Sequence, residues 1–207
     1  DIDIALLESV TLMDVYEFMA FLNNEREYLR PGEKATGKPG IGSAARARKV
    51  SSLRSFFKFL TAKAMLLKEN PVAELDSPKL KRSLPKYLSL DESISLLDSV
   101  RGANTERDYL ILTLFLNCGI RVSELVGINV GDIKGNALTV TGKGNKERVV
   151  FLNEACLSAL NTYMPVRGKF VPADEPALFV TVRKKRISPV TVKWLVKKHI
   201  SEAGLDC

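Results

Sequence analysis

A stretch rich in proline and lysine divides the sequence into a shorter first part and a longer second part. Residues 77–88 read SPKLKRSLPKYL. A helix cannot run through this stretch, because each proline removes a backbone donor and clashes with the preceding turn. Pro-rich segments act as extended spacers, and 207 residues suffice for two small domains. The sequence therefore predicts a first domain over residues 1–76, a linker over 77–87 and a second domain over 88–207.

The first part is predicted to be helical. Residues 12–22 (LMDVYEFMAFL) are an apolar-rich helix candidate, and the loop RPGEKATGKPGIG that follows has too many Gly and Pro for regular structure. A long helix is predicted to begin near Ser43, with apolar residues at spacings of three and four on its buried face. These apolar residues are Val50, Leu53, Phe57, Leu60 and Ala64.

The opposite face of this long helix is a candidate DNA-binding surface. Basic residues alternate there with small hydroxyl residues, which lets a helix approach a duplex closely and donate to phosphates. A solvated helix face is the alternative. The residues are Arg48, Ser51, Ser55 and Lys58, with Arg54 on the flank.

The second part combines helices with one hairpin. Ser89 and Glu92 have the spacing of a capping box at a helix start. Residues 109–116 (YLILTLFL) are apolar all round, which predicts a buried helix. The β-rich runs 137–142 and 148–152 predict a hairpin, with Gly144 and Asn145 at its tip.

A last helix is predicted to start at Ser188-Pro189. The single histidine, His199, falls on the apolar face of this helix and is interpreted as a packing residue. A second basic cluster lies just before and within the helix and is another candidate DNA-binding surface. Its residues are Arg183, Lys184, Lys185, Arg186, Thr191 and Lys193.

The charge balance favours a polyanionic partner. The chain has 31 Lys and Arg against 24 Asp and Glu, a formal net charge of +7, which suits nucleic acid. No apolar run reaches the ~18 residues of a membrane span. Cys118, Cys156 and Cys207 follow no metal-ligand spacing, so reduced thiols in a cytoplasmic protein are expected. Neither a metal nor another cofactor is expected.

Arg121 is a candidate for chemistry. It stands just behind a glycine at a predicted helix start, where free backbone N–H groups favour an anion. Its planar fork can hold two phosphate oxygens at once. Glu124 lies on the same side of that helix and could hold the guanidinium in place. A structural Arg121–Glu124 ion pair without a ligand is the alternative.

The hairpin turn is the other candidate. Lys143 and Lys146 lie at the turn, with Arg148 just inside the returning strand. A flexible ammonium on a stiff ribbon could reach into a DNA groove and deliver a proton. A charged turn kept in solvent is the alternative.

The motifs GIRVSELVGINVGDI (119–133) and TGKGNKERVVFL (141–152) closely resemble those of the tyrosine recombinase (phage integrase) family, in particular its Xer-like bacterial branch. ARKVSSLRSFFKFL and NPVAEL resemble the family's core-binding domain. LPKYLSLDESISLLDSV resembles the linker and first helix of its catalytic domain. The resemblance covers nearly the whole chain.

The resemblance implies both a fold and a chemistry. The fold is mainly α: a helical, SAM-like core-binding domain, then a truncated α+β catalytic domain with a small antiparallel hairpin sheet. Arg121 matches the first catalytic arginine, Lys143 the catalytic lysine of the hairpin, and Glu124 an acidic residue that supports the arginine. The implied partner is a duplex DNA recombination site, cut and rejoined through a 3′-phosphotyrosyl intermediate by a tetramer on two sites.

The departures from the family matter as much. The family also has a His-x-x-Arg motif, a further His or Trp and a late tyrosine nucleophile. His199 has Glu202 three residues later instead of arginine, and Tyr163 has no matching context. We therefore expect an internal fragment, also short of the first core-binding helix, that binds DNA but does not cut it alone. A naturally truncated, non-catalytic DNA-binding protein is the alternative.

Overall fold

The chain forms two compact units, Asp1–Leu84 and Pro85–Cys207. The computed structural model describes residues 3–24, 40–78, 86–172 and 174–205. The boundary between the units falls within the predicted linker 77–87, of which residues 79–85 lie outside the described residues. Most of the predicted Gly- and Pro-rich loop and Cys207 also lie outside them. The assignment of the units as core-binding and catalytic domains stays a prediction.

The first unit is helical over its described residues. Its helices are α1 (Ile4–Glu8), α2 (Leu12–Asn24) and α3 (Ser43–Ala62). The predicted buried face of the long helix is confirmed at Val50, Phe57 and Leu60, which pack with Val15 of α2. Leu53 is half-buried against the same core, and Ala64 lies beyond the end of the helix.

The second unit packs helices around a small sheet. Its helices are α4 (Leu90–Asp98), α5 (Thr105–Cys118), α6 (Val122–Gly127), α7 (Glu154–Phe170) and α8 (Pro189–Glu202). The strands β1 (Ile133–Lys134), β2 (Ala137–Thr141) and β3 (Glu147–Phe151) form an antiparallel sheet in the order β1-β2-β3. The predicted hairpin is therefore β2–β3, and the mainly helical fold with a small antiparallel sheet is confirmed.

Helix α5 is the centre of the second unit's core. Its residues from Leu110 to Leu114 are all buried, as the apolar run predicted, although Tyr109 is 38% exposed. The helix ends at Gly119, which has a left-handed backbone (φ 56°) that glycine adopts without steric cost. At this residue the chain turns away from α5 and enters the segment that leads into α6.

A buried polar cluster joins the first turn of α5 to the last turns of α8. The Asp108 carboxylate accepts from Nε of Arg107 at 2.9 Å and lies 3.3 Å from Nε2 of His199. The other ring nitrogen of His199 lies 2.9 Å from a carboxylate oxygen of Glu202. His199 is fully buried, as its position on the apolar face predicted, but its polar partners were not anticipated.

Both predicted helix starts are confirmed. The hydroxyl of Ser89 accepts from the backbone N–H of Glu92 at 3.2 Å, and the Glu92 carboxylate accepts from the Ser89 N–H at 2.7 Å. At α8, Ser188 accepts from the N–H of Thr191 at 3.1 Å, and Pro189 occupies the first helical position. These caps satisfy backbone donors that have no partner within their own helices.

We expect Ser89→Ala to lower the free energy of unfolding of the second unit by about 1 kcal/mol, because the substitution removes one half of the capping box. Urea unfolding followed by the fluorescence of Trp194, the single tryptophan, measures this change. The control is Ser95→Ala, an exposed serine within the same helix. Equal losses for the two variants would contradict the capping role.

Candidate catalytic and nucleic-acid interface

Arg121 occupies the N-cap position of α6 and points its side chain into solvent. The side chain is 73% exposed. Its backbone N–H donates to one carboxylate oxygen of Glu124 at 2.8 Å, and its Nη1 donates to the other at 2.9 Å. The guanidinium is thus held from one side, and its remaining donors make no hydrogen bond to the residues that the structure describes, so they can bind an anion.

Glu124 is the buried centre of this arrangement. Its side chain is 1% exposed and also accepts from Nη2 of Arg148 at 2.9 Å. The backbone N–H of Arg121 is the main cause that lowers the pKa of Glu124, and burial opposes it. The side chains of Arg121 and Arg148 lower the pKa further. The carboxylate is therefore ionised at neutral pH and holds two guanidinium groups.

The hairpin meets α6 at this carboxylate. A Cβ atom placed on Gly142 would lie 3.2 Å from Oε1 of Glu124, so the backbone approaches the carboxylate as closely as a glycine allows. The Gly142 N–H donates to the carbonyl of Lys146 at 2.8 Å and closes the turn. Gly144 and Asn145 have positive φ (75° and 58°), which confirms the predicted tip.

Lys143 and Lys146 are exposed on this turn. Lys143 directly follows Gly142, whose backbone lies beside the Glu124 carboxylate. Because Glu124 also binds Arg121, one carboxylate connects the two residues that the motifs singled out. The two motifs, which are separated by seven residues in the sequence, therefore meet at this carboxylate.

Arg148, just inside the returning strand, has a partner within the protein. Paired residues of an antiparallel ladder lie on the same face, and Arg148 pairs with the buried Val140. The Arg148 side chain therefore starts on the inner face of the hairpin and reaches Glu124. The alternation of apolar residues along β2 indicates the inward orientation of Arg148, but no sequence pattern indicates that Glu124 is its partner.

The basic face of α3 is confirmed as exposed at Arg48, Ser51, Ser55 and Lys58. Arg54 is the exception. Its Nη1 donates to the hydroxyl of Ser77 at 3.1 Å, and its Nη2 donates to the carbonyl of Leu75. This guanidinium anchors the segment after α3, and its contact with DNA stays a prediction.

The second basic cluster lies on a tight turn. The N–H of Thr181 donates to the carbonyl of Lys185 at 2.8 Å, and Lys184 has a φ of 58°. Arg183, Lys184 and Lys185 are exposed there. Lys193 is exposed on α8, whereas the hydroxyl of Thr191 lies 2.9 Å from that of Ser188 and belongs to the helix cap.

Arg186 is again bound to the protein itself. Its Nη1 donates to the carbonyls of Val126 and Ile128 at 2.8 and 3.1 Å, and its Nη2 donates to Oδ1 of Asn129 at 2.5 Å. These bonds fix the turn to the end of α6. The expectation that Arg186 contacts DNA stays a prediction.

Tyr163 is not placed for chemistry. Its side chain is 1% exposed, and its hydroxyl donates to the carbonyl of Leu178 at 3.1 Å. Burial raises the pKa of this phenol, which disfavours the nucleophilic phenolate. The buried position agrees with its lack of a matching sequence context.

Metal-binding clusters and membrane-spanning helices are both absent from the part of the chain that the structure describes. In it, no group of three or more His, Cys, Asp or Glu side chains is placed to hold a metal ion. No helix among these residues is long and apolar enough to cross a membrane.

Comparisons with known proteins agree on one family. The model of the Phage integrase family matches residues 86–206. Tyrosine recombinase XerC of Caldanaerobacter subterraneus subsp. tengcongensis is 52% identical over 206 residues, which cover 100% of this chain and 55% of that protein. The chain thus spans about half the length of that relative.

Solved structures share the fold at lower identity. The XerH site-specific recombinase bound to palindromic difH substrate, a post-cleavage complex, has a TM-score of 0.70 at 19% identity, covering 97% of this chain and 55% of that one. A lambda integrase tetramer bound to a Holliday junction has a TM-score of 0.69 at 17% identity, with the same coverage of both chains.

We expect Glu124→Gln to lower the free energy of unfolding by about 1–2 kcal/mol at pH 7, because two guanidinium groups lose their shared anion. The folded-state pKa of Glu124 is lowered, so its stabilising effect is present above the ordinary value of 4.5 and is lost as pH falls through the folded-state pKa. The difference between wild type and variant should shrink in acid. Urea unfolding at several pH values measures it.

The matched control is Glu147→Gln, an exposed carboxylate of the same hairpin. Its effect should stay within about 0.5 kcal/mol. A difference between wild type and Glu124→Gln that is the same at all pH values would contradict the role of the ionised carboxylate.

Proposed function

The chain belongs to the phage integrase family, and from this premise we propose that it is the DNA-binding part of a site-specific tyrosine recombinase. The complete enzyme would cut and rejoin DNA through a 3′-phosphotyrosyl intermediate. The observation that carries the proposal is the buried carboxylate of Glu124, which connects Arg121 to the hairpin bearing Lys143. Such an arrangement presents a fixed guanidinium and a nearby ammonium to one phosphate.

The proposed roles follow from where charge develops. When a tyrosine attacks a phosphodiester, negative charge grows on the non-bridging oxygens and on the leaving 5′ oxygen. The Arg121 fork, preset by Glu124, stabilises the charge on the non-bridging oxygens. The Lys143 ammonium gives its proton to the leaving oxygen as the P–O bond breaks.

The nucleophile would come from the remaining length of the enzyme. The buried Tyr163, whose hydroxyl bonds to Leu178, is not available for attack. The chain spans 55% of the XerC relative, so the relative has additional sequence that can supply a tyrosine and further charged residues. Without a nucleophile in line with phosphorus, this chain alone would bind DNA and leave it uncut.

Duplex DNA is the proposed partner, in the cytoplasm and at the nucleoid of a bacterium. The support is the exposed basic residues of α3, the hairpin and the 183–185 turn, together with the XerH neighbour bound to its difH site. We extend the assembly of the lambda integrase neighbour, a tetramer on a Holliday junction, to the complete enzyme. Each of two recombination sites would then hold two protomers.

We expect the isolated chain to bind duplex DNA mainly through phosphates, so its log affinity should fall with log salt by about 0.9 for each phosphate neutralised. Lys58→Ala, which removes an exposed ammonium of α3, should weaken binding and reduce that slope by about one phosphate. Fluorescence anisotropy with a labelled duplex over a range of salt concentrations measures both quantities.

Arg54→Ala is the matched comparison, since Arg54 lies about one turn away on the same helix but is bound to Leu75 and Ser77. It should leave the salt slope nearly unchanged and lower the stability of the first unit instead. An affinity that does not respond to salt would contradict the proposed mode of DNA binding.

In the complete enzyme, Arg121→Lys should nearly abolish cleavage, because a point charge cannot replace a two-pronged fork. Lys143→Ala should slow cleavage by about 10²–10⁴-fold on ordinary DNA, the usual worth of a general acid. A substrate with sulfur at the leaving 5′ position should restore much of that rate, since a thiolate leaves without a proton. Single-turnover cleavage measured on denaturing gels tests both variants.

The opposite pattern would show that the two roles are reversed. In that case the sulfur substrate would rescue Arg121→Lys and leave Lys143→Ala inactive. The alternative of a non-catalytic DNA-binding protein predicts that no covalent protein–DNA band forms on either substrate.

A further inference from the structure

We propose that Arg148 is a positioning residue, which holds the hairpin against Glu124 so that Lys143 lies beside Arg121, and that Gly142 is the glycine that makes this approach possible. The inference rests on the proposed function of the site and adds two residues to it. Neither is assigned direct contact with the reacting phosphate.

The argument begins with the ion pair. Nη2 of Arg148 donates to one carboxylate oxygen of Glu124 at 2.9 Å, and Nη1 of Arg121 donates to the other at 2.9 Å. The two guanidinium groups therefore bind opposite oxygens of a single carboxylate that is 1% exposed. A shift of Arg148 relative to Arg121 would leave Oε2 of this buried carboxylate with the Arg121 backbone N–H as its remaining donor and remove one of its two compensating charges, which is costly.

The hairpin transmits this constraint to Lys143. Arg148 lies on β3 opposite Val140, and the strands are paired up to Thr141 and Glu147. Between these strand ends the turn is closed by the bond from Gly142 N–H to Lys146 carbonyl. Lys143 is therefore fixed at the backbone by a short, hydrogen-bonded ribbon whose base is tied to Glu124.

Gly142 leaves room for the Glu124 carboxylate because it has no side chain. A Cβ atom at this position would lie 3.2 Å from Oε1 of Glu124 and 3.5 Å from the Lys146 carbonyl. The first separation is closer than most Cβ contacts, so an added methyl group would displace the carboxylate or the hairpin by a few tenths of an ångström. Oε1 is the oxygen that binds Arg121, so this displacement would reach the guanidinium directly.

Arg148 differs from the two lysines of the turn in having a partner within the protein, while 42% of its side chain is exposed. Its side chain starts on the inner face of the sheet and is bound to Glu124, whereas Lys143 and Lys146 extend into solvent from the turn. Loss of Arg148 should therefore misplace the proton donor while leaving the charge that binds DNA almost intact. This predicts a defect in the protonation of the leaving group, with DNA affinity preserved.

The chemistry of the cleavage step shows how a defect in protonation of the leaving group can be recognised. The tyrosine, as its phenolate, forms a bond to phosphorus, the bond from phosphorus to the 5′ oxygen breaks, and the Lys143 ammonium transfers one proton to that oxygen and becomes a neutral amine. With sulfur in place of the 5′ oxygen, the bond to phosphorus breaks and a thiolate leaves without the proton. A variant that only misplaces the acid is thus rescued by sulfur, and a variant that loses a phosphate contact is not.

The test uses the complete recombinase with Arg148→Ala, Arg148→Lys and Gly142→Ala, on suicide sites with oxygen or sulfur at the leaving position. Arg148→Ala should cleave the oxygen substrate about 10–100-fold more slowly, the usual effect of losing a supporting contact. On the sulfur substrate its rate should approach that of wild type. Gly142→Ala should show the same pattern, and Arg148→Lys should recover part of the rate because it keeps the charge.

DNA affinity measured in parallel distinguishes positioning from binding. Arg148→Ala should keep the dissociation constant and salt slope of wild type, whereas Lys58→Ala should weaken binding and gain nothing from sulfur. If Arg148→Ala bound DNA more weakly and with a smaller salt slope, and if the sulfur substrate did not restore its cleavage rate, Arg148 would be a phosphate contact. That outcome would overturn the inference. If Arg148→Ala does not fold, Gly142→Ala decides the question by the same measurement.

The proposed function and this inference fail in different ways. A wild-type enzyme that forms no covalent complex on either substrate would overturn the proposed function, and the positioning role with it. A wild-type enzyme that cleaves both substrates, with Arg148→Ala and Gly142→Ala equally slow on both, would overturn the positioning role alone.

Discussion

The candidate site depends on one buried carboxylate that accepts from three donors. Glu124 binds the backbone and side chain of Arg121 and the side chain of Arg148, and it faces the backbone of Gly142. Burial strengthens each of these interactions and makes the loss of any one of them costly. The start of α6 and the β2–β3 hairpin are not adjacent in the sequence, and the carboxylate holds them in a fixed position relative to each other. It also preorganises the otherwise flexible side chain of Arg121.

The basic residues of the chain divide into two classes that composition does not distinguish. Arg54, Arg148 and Arg186 bind carbonyls, hydroxyls, an amide or a carboxylate of the protein itself. Lysines such as Lys58 and Lys143 extend into solvent. Arginine's five donors suit it to hold several backbone carbonyls at once, whereas a lysine is better left as a mobile charge. The formal net charge of +7 therefore overstates the positive charge that is available to bind phosphates.

Sequence predicted the features that short-range physics controls. The caps at Ser89 and Ser188, the burial of α5 and the tip at Gly144 depend on residues within a few positions of one another. The partners of Arg54 and Arg186, and the Asp108 partner of His199, lie 21 to 91 residues away, so no local pattern encodes them. Strand β1 was missed because two residues carry no periodic signal. The link between Arg121 and the hairpin was accessible only through the family resemblance.

The buried cluster of Arg107, Asp108 and His199 determines how many residues a segment joined to the end of α8 would need to reach Arg121. It fixes the end of α8 beside the first turn of α5, while Arg121 comes just after the other end of α5. The ten residues from Asp108 to Cys118 span roughly 15 Å along the axis, at about 1.5 Å per residue. A strand leaving α8 toward Arg121 would need about five extended residues to cover that distance.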